Sequence, residues 1–151
     1  MKTLHFSTII DAPRERVWQA MLEDQSYREW TAVFGAGSYY RGDWNKGSKI
    51  LFVGLDPQTG KEAGMVSRIA ESIPFEFVSI EHQGIVQDGI EDTTSEEARR
   101  WTPAFENYTL KEKDGSTEVL VHADVADDHV AMFNETWPEA LRKLKEIAER
   151  R

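Results

Sequence analysis

The last stretch of the chain, Asp127 to Arg151, places Val130, Phe133, Trp137, Ala140, Leu141, Leu144, Ile147 and Ala148 on one helical face and charged residues on the other. A helix apolar along one stripe must lay that stripe on a partner layer. Asp127 and Asp128 at its start and Arg150 and Arg151 at its end each suit the helix dipole, by ~0.3–1 kcal/mol before salt screening. Pro138 falls within the pattern and leaves two readings open. Either it sits inside one long helix, where it costs ~3 kcal/mol unless the helix kinks, or it starts the main helix after a separate turn from Asp127 to Thr136.

The partner layer is a sheet, because what precedes the helix is strand-rich. Lys2 to Ile10 alternates, with Leu4, Phe6, Thr8 and Ile10 on one face. "IIDAPRERVWQAML" then turns from strand to helix, with Asp11 as the expected N-cap, Pro13 in the first turn, and Val17, Trp18, Met21 and Leu22 on one stripe. Asp24 to Trp30 reads as a second short helix, closed by the glycine-rich "FGAGSYY". Strands follow at Ser38 to Trp44, Ser48 to Leu55, Lys61 to Ser72 and Phe75 to Gln87, each bounded by turn residues. "DGIEDTTSEEARRW" interrupts them, with Thr94 and Glu97 in the form of a capping box. The expectation is an α+β fold: a curved antiparallel sheet of about seven strands around the long C-terminal helix, with two short helices after the first strand. One helix is narrower than the curved face it must fill, so a cavity between them is expected.

The sharpest local signal is Asp114-Gly115, between "FENYTLKEK" and "STEVLVHADV". A two-residue hairpin pairs Lys113 with Ser116 and, counting outward, Lys111 with Glu118, Leu110 with Val119, Tyr108 with Val121 and Glu106 with Ala123. One face is then apolar, and Glu106 shares it with Tyr108, Val119 and Val121. A carboxylate there would be an acid, a base or a ligand anchor, its pKa raised by desolvation. The alternative is a structural carboxylate satisfied by an arginine, a tryptophan N–H or water. Phe52, Phe75, Phe77, Trp101, Phe105, Phe133 and Trp137 are candidate pocket aromatics, each equally explicable as core.

Composition removes several functions. A net charge of −9 repels phosphate backbones and anionic headgroups, so no nucleic-acid partner is expected. The chain has no cysteine, which excludes disulfides and thiol catalysis. The longest apolar runs, such as Ile50-Leu51-Phe52-Val53, fall far short of the ~20 residues a membrane crossing needs. Met1-Lys-Thr leads into Leu4-His5-Phe6 without a secretion signal's apolar core, which predicts a cytoplasmic protein, read as one domain over 1–151. His5, His82, His122 and His129 lack metal-ligand spacing, His122 falling opposite Asn107 on the outward face, so no metal is assigned. There is no nucleophile elbow or phosphate loop, and Gly35-Ala-Gly37 lacks the rest of a dinucleotide fingerprint, so no cofactor is expected.

The element order, with "IIDAPRERVWQAML" after the first strand, "FENYTL" in the penultimate strand and "FNETWPEALRKLKEIAE" in the last helix, resembles the START-like helix-grip superfamily (SRPBCC) over essentially the whole chain. Within it the likeness is greatest to bacterial homologues of the activator of heat-shock-protein-90 ATPase. The resemblance implies a cavity for apolar or amphipathic small molecules, in a family that runs from lipid carriers to cyclases and chaperone activators. The leading expectation is a small-molecule binding protein whose ligand meets Glu106, Tyr108, Phe52, Phe77, Val119, Val121, Phe133 and Trp137. A chaperone-cofactor role steered by acidic charge toward a basic partner, and a cyclase or dehydratase using Glu106 with Tyr108, are the alternatives.

Overall fold

A computed structural model describes residues 1–35 and 37–150. The chain runs β1 (Lys2–Ile10), α1 (Arg14–Leu22), α2 (Asp24–Trp30), a 3-10 turn (Thr31–Phe34), β2 (Tyr39–Gly42), β3 (Lys49–Leu55), β4 (Glu62–Ile73), β5 (Phe77–Gln87) and β6 (Ile90–Asp92). It continues with α3 (Glu96–Trp101), β7 (Ala104–Lys113), β8 (Ser116–Val125), a second 3-10 turn (Asp127–His129) and α4 (Val130–Glu149). The strands form an open, curved antiparallel sheet in the order β1-β8-β7-β5-β4-β3-β2, with β6 added on β5. The eighth strand is this three-residue β6, too short to leave a pattern in the sequence.

The hairpin register is the one read from Asp114-Gly115: Lys113 faces Ser116, Tyr108 faces Val121, Asn107 faces His122 and Glu106 faces Ala123. Lys111 stands opposite Glu118 as expected, but the ion pair that forms is the diagonal one, Lys113 Nζ to Glu118 Oε1 at 3.3 Å. The longer reach of the diagonal is open to a flexible lysine.

Capping departs from expectation at two places. Asp11 does not cap α1; its N–H donates to Glu149 Oε2 at 2.8 Å, its carboxylate accepts from Ser116 Oγ, and Pro13 occupies the cap position without a side-chain bond. In α3 the cap is Ser95, not Thr94, with the Ala98 N–H donating to Ser95 Oγ at 3.1 Å. The cause is Asp92, whose carboxylate binds the N–H groups of both Thr94 and Ser95 and so sets the turn one residue later.

Pro138 lies inside one continuous α4, which overturns the reading of a separate turn up to Thr136. Asp127 and Asp128 sit in the preceding 3-10 turn; Arg150 is the C-cap residue and pairs with Glu29, and Arg151 lies outside the described residues. Along α4 the stripe divides in two. From Trp137 on, Ala140, Leu141, Leu144 and Ala148 are buried, whereas no residue from Val130 to Thr136 is. The helix packs on β1, α1, α2 and the first 3-10 turn, and its first half borders open space. No helix among the described residues is long and apolar enough to cross a membrane.

Candidate functional site

That first half of α4 roofs an open cavity of about 940 Å³. Its walls come from α2 and the following turn (Tyr27, Trp30, Phe34), β3 and β4 (Phe52, Met65), β5 (His82), β7 (Glu106, Tyr108) and α4 itself (Phe133, Trp137). Ring after ring is in contact: Trp30 and Trp137 have centroids 6.1 Å apart, Tyr108 and Trp137 6.0 Å, Tyr27 and Phe52 6.1 Å, and Phe52 and His82 6.1 Å.

Glu106 enters this space because the hairpin register turns it to the concave face. Its carboxylate is held from two sides: His82 Nε2 lies 3.1 Å from Oε1, and the Tyr108 hydroxyl donates to Oε2. Behind His82, Ser67 Oγ is 2.7 Å from Nδ1. With its proton on Nε2 the imidazole donates to Glu106 and accepts from Ser67. In that tautomer every donor of the relay has an acceptor. The protein partners are thus a histidine and a tyrosine rather than the arginine or tryptophan considered from sequence.

A β-bulge brings Ser67 and His82 together, and a second lies close by. The ladder of β4 and β5 shifts between Val66 and Ser67, where Gln83 is skipped, and again between Ile69 and Glu71. The extra residue Gln83 in β5 puts His82 on the concave face opposite Ser67 although Gly84, two residues on, pairs with Val66 on the convex face, where Val66 packs with Leu51, Val53 and Val86.

Of the residues singled out from sequence, Glu106, Tyr108, Phe52, Phe133 and Trp137 line the cavity, and so does Trp101. Val119 and Val121 do not: both are fully buried core residues of β8 beneath it. Phe77 does not either. It shares the outward phase of Ser79 and Glu81, while Val78, Ile80 and His82 point inward, because the bulge at Gln83 breaks the single alternation that would carry Phe77 in from Ile85. Phe75 and Phe105 are exposed. Sequence reasoning missed Tyr27, Trp30, Phe34 and His82 as lining residues. An inward phase for Ile80 would have carried His82 with it.

Electrostatically the site is acidic. Burial raises the Tyr27 phenol well above its ordinary value, and the nearby Glu106 charge pushes it in the same direction. Ser67 is fully buried and does not line the cavity, so the Ser-His-Glu order is not a nucleophile facing a substrate. What faces the cavity is a carboxylate with two donors already bound and room for more. Among the described residues no group of three or more His, Asp or Glu side chains is placed to hold a metal ion.

The same architecture recurs in solved structures. The Aha1 dimer from Colwellia psychrerythraea matches with a TM-score of 0.71 at 20% identity, over 99% of this chain and 97% of that one. The AHSA1-like protein from Aeromonas hydrophila matches with a TM-score of 0.71 at 14% identity, over 98% and 92%. CalU16 from Micromonospora echinospora matches with a TM-score of 0.65 at 16% identity, over 97% and 74%. At these identities the likeness is one of fold. No curated protein matches. The model of the family described as Activator of Hsp90 ATPase homolog 1-like protein matches residues 11–149, nearly the whole chain, and it is to this family that the chain belongs.

Proposed function

We propose that this chain is a binding protein for an apolar or amphipathic small molecule, seated between the sheet and the first half of α4. The observation that carries the reading is the cavity itself: about 940 Å³, walled by aromatic rings, with one hydrogen-bonded carboxylate inside. Ligand pockets of roughly 300–1,000 Å³ with a mostly apolar lining and a few convergent polar groups are the usual form of such sites. The unburied first half of α4 supports it, since Phe133 there has rings and open space for neighbours rather than closed packing. Titration with the neutral, polarity-sensitive dye Nile red tests the reading. Saturable binding at one site, abolished by Phe133→Lys with α4 intact, is expected; a weak, non-saturable response unaffected by that substitution sinks it.

Family membership favours a second reading, a chaperone-related role, because the family's description names activation of the Hsp90 ATPase. Addition of the protein to a chaperone ATPase of that class should then raise its turnover, and Phe133→Lys should leave the effect unchanged if the cavity plays no part.

A further inference from the structure

The charge of the cavity is one-sided. Its lining carries the carboxylates of Glu106, Asp56 and Asp124, and neither a lysine nor an arginine is among the described residues that line it. A carboxylate offers about four lone-pair sites, of which His82 and Tyr108 use two on Glu106. The side chain remains 25% exposed, within the cavity.

His82 is tied to Ser67 on its far side. Ser67 has no hydrogen-bond partner other than His82 among the described residues, and it is fully buried. With its proton on Nε2 the ring donates to Glu106 and accepts from Ser67, so the donors and acceptors of the relay match. Glu106 therefore meets the cavity with acceptor sites free and no lysine or arginine beside it, in a space also lined by the rings of Tyr27, Trp30, Phe52 and Tyr108. Aromatic faces attract cations, most strongly where water is excluded.

We propose that the cavity selects a cationic amphiphile: an apolar body bearing a protonated amine, whose N–H groups donate to Glu106 while the surrounding rings flank the ammonium. The proposal rests on the reading of this cavity as a ligand site and specifies its chemistry. A fatty acid of the same length would set a second carboxylate against Glu106 with no cation to receive it. The raised phenol of Tyr27 follows in part from the same anionic field, which opposes any further negative charge.

Three ligands with one chain length test this on the purified protein at neutral pH, by displacement of Nile red below their micelle concentrations: dodecylamine, dodecanol and dodecanoate. The amine should bind at least about tenfold tighter than the acid, with the alcohol between, as expected from one charge-assisted hydrogen bond gained against one repulsion. Glu106→Gln should bring the amine down to the level of the alcohol while dodecanol still binds. An acid that binds as tightly as the amine, or an amine preference that survives Glu106→Gln, overturns the proposal; survival would trace the preference to Asp56, Asp124 or the net charge of −9. If that variant does not fold, the wild-type ratio of amine to acid in about 1 M salt decides, since a Debye length of about 3 Å removes long-range attraction and leaves the local contact. A preference that vanishes there overturns it. Failure of the cavity reading looks different: no member of the trio displaces the dye.

Discussion

Ser67 Oγ and His82 Nδ1 stand 2.7 Å apart as direct partners across β4 and β5, immediately beside the bulge that skips Gln83. Both are buried, His82 forming part of the cavity wall and Ser67 lying behind it, so the work of the serine is to hold the ring that holds Glu106. Ser67→Ala should therefore cost ~1–3 kcal/mol in chemical denaturation, the penalty of leaving a buried ring nitrogen unpartnered. It should not change the cavity's size, because Ser67 does not line it. A loss too small to resolve would mean that His82 finds another partner or water.

Gly84 lets the turn after β6 lie close on β5. A Cβ at this position would lie 2.4 Å from the Asp92 carbonyl oxygen and 2.7 Å from Thr93 Cγ2, where β6 folds back on β5. Gly84→Ala should detach β6 or displace the bulge. Amide exchange would show it as lost protection at Ile90 to Asp92, together with a lower melting temperature. Protection equal to wild type would show that β6 can shift aside without disturbing the ladder.

These two sites also mark where the sequence stops being legible. The hairpin of β7 and β8 could be read in full because Asp-Gly sets a register and strict alternation then carries it outward, which is how Glu106 and Tyr108 came to the concave face. The first strand and α2 could be read to their termini for the same kind of local reason. Met65 to Ala70 reads in both phases, and the structure shows why: Val66 and Ser67 are buried on opposite faces, and the bulge at Ala70 reverses the alternation between Ile69 and Glu71. A bulge leaves no strong local signature, since it is settled by which long-range pairing buries more surface. Misplacing Phe77 and overlooking His82 have this one origin. Tyr27 and Trp30 were hidden for another reason. Their stripe on α2 is ordinary helical amphipathicity, and only the curvature of the sheet turns it into a cavity wall.

Glu149 ties the end of α4 to the corner between β1 and α1, accepting from the Asp11 N–H and from Lys145 Nζ, while Lys145 also donates to the Ile9 carbonyl. The Lys145 bond first, and then the Asp11 N–H, hold the Glu149 carboxyl below the usual carboxylate range. A depressed acid contributes stability above its unfolded value, and that contribution is lost as pH falls through the folded value. Glu149→Gln should therefore lower the melting temperature at neutral pH, and the gap from wild type should narrow below about pH 4. A gap that stays constant down to pH 3 would show that the ionised carboxylate is not what matters.

The division of α4 into a packed and an unpacked half gives the most direct test of the cavity as a structural feature. Leu144 and Phe133 belong to one apolar stripe, yet Leu144 is fully buried and Phe133 is only partly so, against the cavity. Leu144→Ala should cost ~2–5 kcal/mol, the transfer free energy of the lost atoms plus that of the void they leave in close packing. Phe133→Ala removes more atoms but opens no new void, because its neighbour is already open space, so it should cost less than about 2 kcal/mol. Paired denaturation curves on the two variants measure the difference. If Phe133→Ala is as damaging as Leu144→Ala, the first half of α4 packs as tightly in solution as the second, and the cavity is closed.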